Sequence, residues 1–119
     1  MIEKIKSYQD LNIWKEGIGL VTDIYQITKQ FPKEETYGLI SQMRRSSVSI
    51  PSNAAEGFRR FYNKEYKQFL YILLGSCAEL ETQITISKEL NYIDSSAKDK
   101  LLNRTDYICR MTTNLIKKL

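Results

Sequence analysis

The chain has no histidine, and its 119 residues include only five glycines, two prolines and two cysteines. Without histidine there can be no Ser-His or Cys-His nucleophile pair, no Glu-x-x-His di-metal bundle site and none of the usual histidine-containing zinc sites. The scarcity of glycine and proline argues against a fold of many short strands, since such a fold needs frequent turns. Apolar runs reach only about four residues, which is too short for a membrane span.

The remaining candidate chemistry is equally sparse. Cys77 and Cys109 lack metal-type spacing, and we expect both to be reduced and to pack as small core hydrophobes. Residues 17–19 read Gly-Ile-Gly, but they lie in a helical pattern and lack the third glycine of a dinucleotide loop. Glu79 and Glu81 are two residues apart on one helix and point in nearly opposite directions, so they cannot form an acid/base pair. We therefore expect no enzyme activity, no cofactor and no metal.

Length and charge describe a small globular protein. A chain of 119 residues supports one hydrophobic core, so we expect a single domain over residues 1–119. Residues 1–9 contain no apolar stretch typical of a signal peptide, which favours the cytoplasm. The net charge is +4 and the isoelectric point is near 9.0. This mild excess permits nucleic-acid contact, but it is also a common way for a protein to stay soluble.

Apolar residues at three- and four-residue steps predict four helices in an all-α, antiparallel, up-down-up-down bundle with short connections. Pro51 lies inside the second pattern and removes one backbone hydrogen bond, which predicts a kink. The expected helices extend from about residue 10 to 30, 32 to 56, 63 to 90, and 96 to 119.

Four residues are expected to mark the helix ends. Gly57 is predicted to end the second helix in the left-handed conformation. Asn63 is predicted to cap the third helix, and Ser96 with Asp99 resembles a capping box at the start of the fourth.

Two of the helices carry more than one apolar stripe. The main stripe of the first helix is predicted to be Leu11, Trp14, Ile18, Val21 and Tyr25, and that of the third to be Tyr66, Phe69, Leu70, Leu73, Cys77, Leu80 and Ile84. The residues off these stripes predict a self-association surface, because a second apolar face must cover something. Broad core faces, or cover by the N-terminal arm, are the alternative explanations. The predicted interface residues are Ile13, Leu20, Ile24, Ile72, Ile86 and Leu90.

Positive charge is concentrated between residues 41 and 67, where six basic residues stand against two acidic ones. Arg59 and Arg60 are accompanied by Phe58, Phe61 and Tyr62 in a predicted turn. Arginines beside aromatics can hold phosphates and stack on unpaired bases, although such clusters are often only solvated helix ends. The predicted nucleic-acid contacts are Arg59, Arg60, Lys64 and Lys67.

The two arginines in the middle of the second helix have a different expected role. Arg44 and Arg45 are expected to pair with Glu79 or Glu81 of the third helix. We group these four residues with Glu56 as a predicted polar network between the second and third helices.

Several segments resemble one known family. Residues 8–14 (YQDLNIW), 31–39 (FPKEETYGL), 41–57 (SQMRRSSVSIPSNAAEG) and 75–83 (GSCAELETQ) are similar to the 23S rRNA intervening-sequence proteins. The resemblance extends over about residues 8–116. It implies a four-helix bundle assembled as a ring-shaped homopentamer, similar to the nucleic-acid-binding accessory subunit of diversity-generating retroelements.

These observations lead to two functional hypotheses. The first is a non-catalytic homo-oligomeric bundle, with a pentamer favoured, that binds RNA or DNA or a nucleic-acid-processing protein through basic patches. The alternative is a structural adaptor that binds only protein partners.

Overall fold

The computed structural model describes residues 5–119, and within them it contains four α-helices and no strand. The helices are α1 (Asn12–Thr28), α2 (Leu39–Phe58), α3 (Asn63–Glu89) and α4 (Ser95–Lys118), with short 3-10 turns at Tyr8–Asp10 and Lys33–Glu35. The all-α, four-helix prediction is confirmed. The first four residues of the segment in which we expect no signal peptide lie outside the described residues.

Each helix packs against two others. The pairs in contact are α1–α2, α2–α3, α3–α4 and α4–α1, and together they enclose the core. Along α1 and α2, the Arg44 side chain donates a hydrogen bond to Thr28, and Gly17 lies against Pro51. Along α2 and α3, Met43 meets Ser87 while Ser49 meets Ser76. In both of these pairs residue numbers rise on one helix as they fall on the other, which is the order that the antiparallel prediction gives.

The core stripe of α3 follows the prediction closely. Tyr66, Leu70, Leu73, Cys77, Leu80 and Ile84 are all buried, at alternating steps of four and three residues. Ile108 of α4 is also fully buried. Trp14 and Phe69 were predicted to be buried but are only half-buried, because they lie at the edge of the core, where their rings contact Tyr8 and Arg60.

The predicted core face of α1 was wrong. Ile13, Leu20 and Ile24 are the buried residues, whereas Ile18 is 43% exposed and Tyr25 is 40% exposed. Gly17 lies on the buried face, where a Cβ would stand 3.1 Å from the Pro51 Cβ. The absence of a side chain at Gly17 lets α1 approach α2 on that face, and the face therefore becomes the core side. Ile13, Leu20 and Ile24 thus cannot form the self-association surface expected of them.

Several helix ends also differ from the prediction. The second helix begins at Leu39 instead of Pro32, and the Glu35 carboxylate accepts a hydrogen bond of 3.1 Å from the Leu39 N–H. Gly57 lies within α2, and within residues 5–119 the left-handed backbone is found at Asn91, with a φ of 63°, just after α3. Asp94 caps α4 by accepting from the Ala97 N–H at 2.8 Å.

The caps of α3 and α4 also differ from those predicted. Asn63 is the first residue of α3 and not its cap, and the capping box expected from Ser96 is replaced by the Asp94 cap. The α2 helix continues through Pro51, and the kink expected at that residue stays a prediction.

Candidate nucleic-acid interface

The turn between α2 and α3 is short and well defined by backbone hydrogen bonds. Arg59 and Arg60 donate their N–H groups to carbonyl oxygens of the last turn of α2, at 3.3 and 3.0 Å. The Tyr62 carbonyl accepts from the N–H groups of Glu65 and Tyr66, both at 3.1 Å, and starts α3. The side chains of this turn therefore leave an ordered backbone at fixed positions.

Gly57 explains how the two helices come so close beside the turn. A Cβ at Gly57 would stand 3.0 Å from the Phe69 Cβ, 3.0 Å from Tyr66 Cδ1 and 3.2 Å from the Tyr66 carbonyl oxygen. Any larger residue would push the end of α2 away from the start of α3. The role of Gly57 is thus close packing, and not the left-handed helix end predicted from the sequence.

Two aromatic rings support the arginines of the turn. The Arg60 guanidinium carbon lies 4.6 Å from the centre of the Phe69 ring, and that of Arg59 lies 5.3 Å from the centre of the Tyr8 ring. Such cation–π contacts hold the guanidinium plane in place while its N–H groups remain at the edges. Within residues 5–119, neither arginine forms an ion pair with a carboxylate.

Tyr8 and Phe69 are site residues that the sequence reasoning missed. Phe69 was assigned to the core stripe, and Tyr8 lies 51 positions before Arg59. The predicted antiparallel bundle could have indicated Tyr8, because it places the start of the first helix and the end of the second at one end of the bundle.

Two large aromatic side chains in the turn face solvent. Phe61 is 89% exposed and Tyr62 is 64% exposed. Their rings meet edge to face, with centroids 5.0 Å apart. Phe58 is different: it is half-buried and packs against the Tyr66 ring at 6.2 Å.

The α2–α3 turn shares one end of the bundle with the start of α1 and the last turns of α4. Over residues 5–14, 55–68 and 113–119 this end contains seven basic and three acidic residues, a net charge of +4. The opposite end (residues 25–45 and 86–100) contains seven basic and five acidic residues. The middle of the bundle contains three basic and five acidic residues. We call the first region the basic end, and its basic residues are Lys6, Arg59, Arg60, Lys64, Lys67, Lys117 and Lys118.

The four residues predicted to contact nucleic acid are thus gathered at the basic end. Arg59, Arg60 and Lys64 are exposed, and Lys67 is half-buried. All four lie within the turn or the first turns of α3, so they present charge on one side of the molecule.

The polar network expected between α2 and α3 does not form. Arg44 turns toward α1 instead: its Nε donates to Thr28 Oγ1 at 3.0 Å and its guanidinium lies 4.5 Å from the Tyr25 ring centre. Arg45, Glu56 and Glu79 are exposed. The reason is the packing of α1 against α2, which places a hydroxyl acceptor and an aromatic ring beside Arg44.

The main ion-pair group of the described residues lies elsewhere, between α1 and α4. Arg104 Nη1 donates to Asp23 Oδ2 at 2.7 Å, and Arg104 Nε lies 3.5 Å from Glu16 Oε2. This group was not predicted. It joins residues far apart in the sequence, and it uses Gly19, since a Cβ there would collide with the guanidinium.

The outer face of α3 retains the apolar stripe that the sequence indicated. Ile72 is 53% exposed, Ile86 is 42% exposed and Leu90 is 49% exposed. Gly75 lies between them, and a Cβ at that position would meet nothing within 4 Å. The 3-10 turn of the N-terminal arm packs on α1 and α2, so this part of the arm does not cover the stripe.

The cysteines lie together in the structure although they are 32 positions apart in the sequence. The neighbouring Cys109 thiol, together with burial, raises the pKa of Cys77, whereas the neighbouring Cys77 thiol lowers the pKa of Cys109. Cys77 is buried as predicted, whereas Cys109 is half-buried with its sulfur 4.0 Å from Glu81 Oε1. Among residues 5–119, no group of three or more histidine, cysteine or acidic side chains is arranged to hold a metal ion.

The fold and this surface define a helical bundle with one basic, aromatic end. None of the helices in the described part of the chain is long and apolar enough to cross a membrane. The family profile of the 23S rRNA-intervening sequence protein matches residues 9–114, and the chain belongs to this family.

One solved structure supports the same fold. It is a protein of unknown function from the S23 ribosomal protein family of Bacteroides thetaiotaomicron, and it superposes with a TM-score of 0.82 at 20% sequence identity. The alignment covers 88% of this chain and 95% of that chain. A comparison with curated proteins found no match.

Proposed function

We propose that this chain is a non-catalytic, homo-oligomeric scaffold or accessory protein of the cytoplasm that binds nucleic acid through its basic end. The observation that carries the proposal is the pair Arg59 and Arg60, whose guanidinium carbons lie 5.3 Å from the ring centre of Tyr8 and 4.6 Å from that of Phe69. A guanidinium placed over an aromatic ring keeps its N–H donors for other partners, and phosphate oxygens are acceptors that match those donors well.

Charge distribution supports the same reading. The basic end carries a net charge of +4, whereas the middle of the bundle carries a net charge of −2. A polyanion is therefore attracted most strongly to the basic end, less strongly to the opposite end with its net charge of +2, and repelled from the middle. Lys64 and Lys67 extend this positive surface along the first turns of α3.

Self-association would multiply this modest charge. The exposed stripe of Ile72, Ile86 and Leu90 on α3 offers an apolar surface that a second copy could cover. In a ring, with a pentamer favoured by the family resemblance, several basic ends would be repeated around one axis. Their fields would add over distances of about one Debye length, roughly 8–10 Å.

Fluorescence anisotropy with labelled RNA across a salt series tests the proposal. Each phosphate contact should contribute about −0.7 to the slope of log K on log salt for a single strand. The double change Arg59→Ala with Arg60→Ala should weaken binding and flatten the slope by roughly one to two contacts for each engaged subunit. The matched control is Lys98→Ala with Lys100→Ala, which also removes two charges but does so at the opposite end.

The control variant should bind like the unmodified protein. No binding at low salt, or equal losses for the two double variants, would overturn the nucleic-acid proposal. The alternative is then a structural adaptor that binds only protein partners and makes no nucleic-acid contact. The exposed apolar stripe of α3 is the observation that favours this alternative.

A further inference from the structure

We propose that the basic end binds single-stranded nucleic acid in preference to duplex, with an unpaired base stacked on Phe61 or Tyr62. This inference rests on the proposed function and adds the class of strand. It starts from the exposure of the two rings, 89% for Phe61 and 64% for Tyr62, in a turn whose backbone is held by hydrogen bonds at both ends.

The two rings perform no packing role within the described chain that would explain them. Phe58 and Tyr66, on either side of the turn, pack against each other beside the core, whereas Phe61 and Tyr62 contact each other in solvent. Tyr62 starts α3 through its backbone carbonyl, and its side chain takes no part in that cap. A smaller side chain would serve the turn equally well.

The neighbouring charges select the partner. Arg59 and Arg60 directly precede Phe61 in the chain, and Lys64 follows Tyr62 by two positions. An apolar protein partner would have to desolvate these cations, whereas a nucleic-acid strand brings a phosphate for them beside every base.

The strand must be single because a duplex hides the base faces. Bases in a duplex are stacked on one another, so an aromatic side chain reaches a base face only if the stack is opened. Unpaired bases expose those faces, and stacking on aromatic side chains is how sequence-tolerant single-strand binders hold them. The exposed pair of rings beside three cations matches this chemistry.

The test measures binding of the full chain to four probes of equal length, about 16 nucleotides, the upper end of the usual site size. The probes are single-stranded RNA, single-stranded DNA, a duplex, and an abasic strand that keeps the phosphates but has no bases. The variant is Phe61→Ala with Tyr62→Ala. Its matched control is Tyr37→Ala, an aromatic residue that is 95% exposed at the opposite end of the bundle.

The double variant should lose about fivefold or more in affinity for the single strands, the range expected for one lost stacking contact. Its affinity for the abasic strand and the duplex should stay unchanged, and Tyr37→Ala should bind all four probes normally. Phe61→Trp with Tyr62→Phe, which keeps two stacking rings, should retain single-strand binding. Circular dichroism checks that each variant keeps its helix content.

Other results separate this inference from the proposed function. An equal loss on the abasic strand, or no loss on the single strands, overturns base stacking while salt-dependent binding through Arg59 and Arg60 stands. A shift toward monomer in light scattering assigns the rings to a protein interface and overturns the inference. If none of the four probes binds, both proposals are overturned.

Discussion

Gly57 on α2 lies so close to Phe69 on α3 that a Cβ on the glycine would stand 3.0 Å from the Phe69 Cβ. The same Phe69 side chain also affects the surface, because the centre of its ring lies 4.6 Å from the Arg60 guanidinium carbon. Helix packing beneath the turn and arginine placement on the turn are therefore linked through one aromatic side chain.

The added methyl group of Gly57→Ala should cost about 1–3 kcal/mol, the usual cost of forcing extra volume into a packed contact. The gain of about 1 kcal/mol from replacing glycine by alanine within a helix offsets part of this cost, so the net loss of stability should reach up to about 2 kcal/mol. Urea unfolding followed by circular dichroism measures the difference. Gly75→Ala is the control: its Cβ meets nothing within 4 Å, so the folded chain should become more stable. If Gly57→Ala stabilised the protein as much as Gly75→Ala does, the packing role of Gly57 would be wrong.

Leu73→Ala should lower the free energy of unfolding by about 2–5 kcal/mol, because Leu73 is fully buried in the core stripe of α3. Ile18→Ala, at a residue that is 43% exposed on α1, should cost about 1 kcal/mol or less. Chemical denaturation of both variants under the same conditions gives the comparison. A similar cost for the two changes would show that the core assignments of α1 and α3 are wrong.

Ile72→Glu should shift the native mass toward monomer, because it places a charge within the exposed apolar stripe of α3. Ile18→Glu makes the same change at an exposed isoleucine of α1, away from the stripe, and should leave the mass unchanged. Multi-angle light scattering measures both variants, with circular dichroism to verify the helices. If the unmodified protein is already a monomer, the assembly part of the proposal is wrong.

Glu81→Gln should stabilise the protein at neutral pH. Burial raises the pKa of the Glu81 carboxyl, and the nearby Asp106 raises it further. The folded chain therefore holds this proton more tightly than the unfolded chain does, so stability falls as the pH rises through the raised pKa. Glutamine removes this partly buried charge, and the gain should disappear as the pH approaches the ordinary value of 4.5.

Thermal melts of Glu81→Gln and the unmodified protein over a pH series test this. Glu79→Gln, an exposed change two residues earlier on the same helix, should alter the melting temperature little at any pH. A Glu81→Gln protein that is less stable than the unmodified protein at neutral pH would mean that the carboxylate makes a favourable contact there.

Helix periodicity was enough to predict the four helices and the core stripe of α3. Tyr66, Leu73 and Leu80 recur with a seven-residue spacing, and a helix brings such residues to one face whatever surrounds it. The basic cluster was also predictable, since Arg59, Arg60 and Lys64 are close in the sequence. These features depend on neighbours within a few residues along the chain.

The core face of α1 could not be decided in the same way. One apolar stripe passes through Ile18 and another through Leu20, and both satisfy helical spacing. The close approach of Gly17 to Pro51 of α2 decides between them, because it is available on one face only. The spacing of apolar residues along α1 fits both stripes equally well. Only a contact between two helices, Gly17 of α1 with Pro51 of α2, distinguishes them.

Residues close together in the chain are enough to predict the helices, the α3 core stripe and the cluster of positive charge near the α2–α3 turn. Helix packing is needed to place Arg44 against Thr28, Arg104 against Asp23 and Tyr8 against Arg59. The difference comes from distance along the chain. Helix formation is governed by residues three and four positions apart, whereas these partners meet only when whole helices settle into one mutual register.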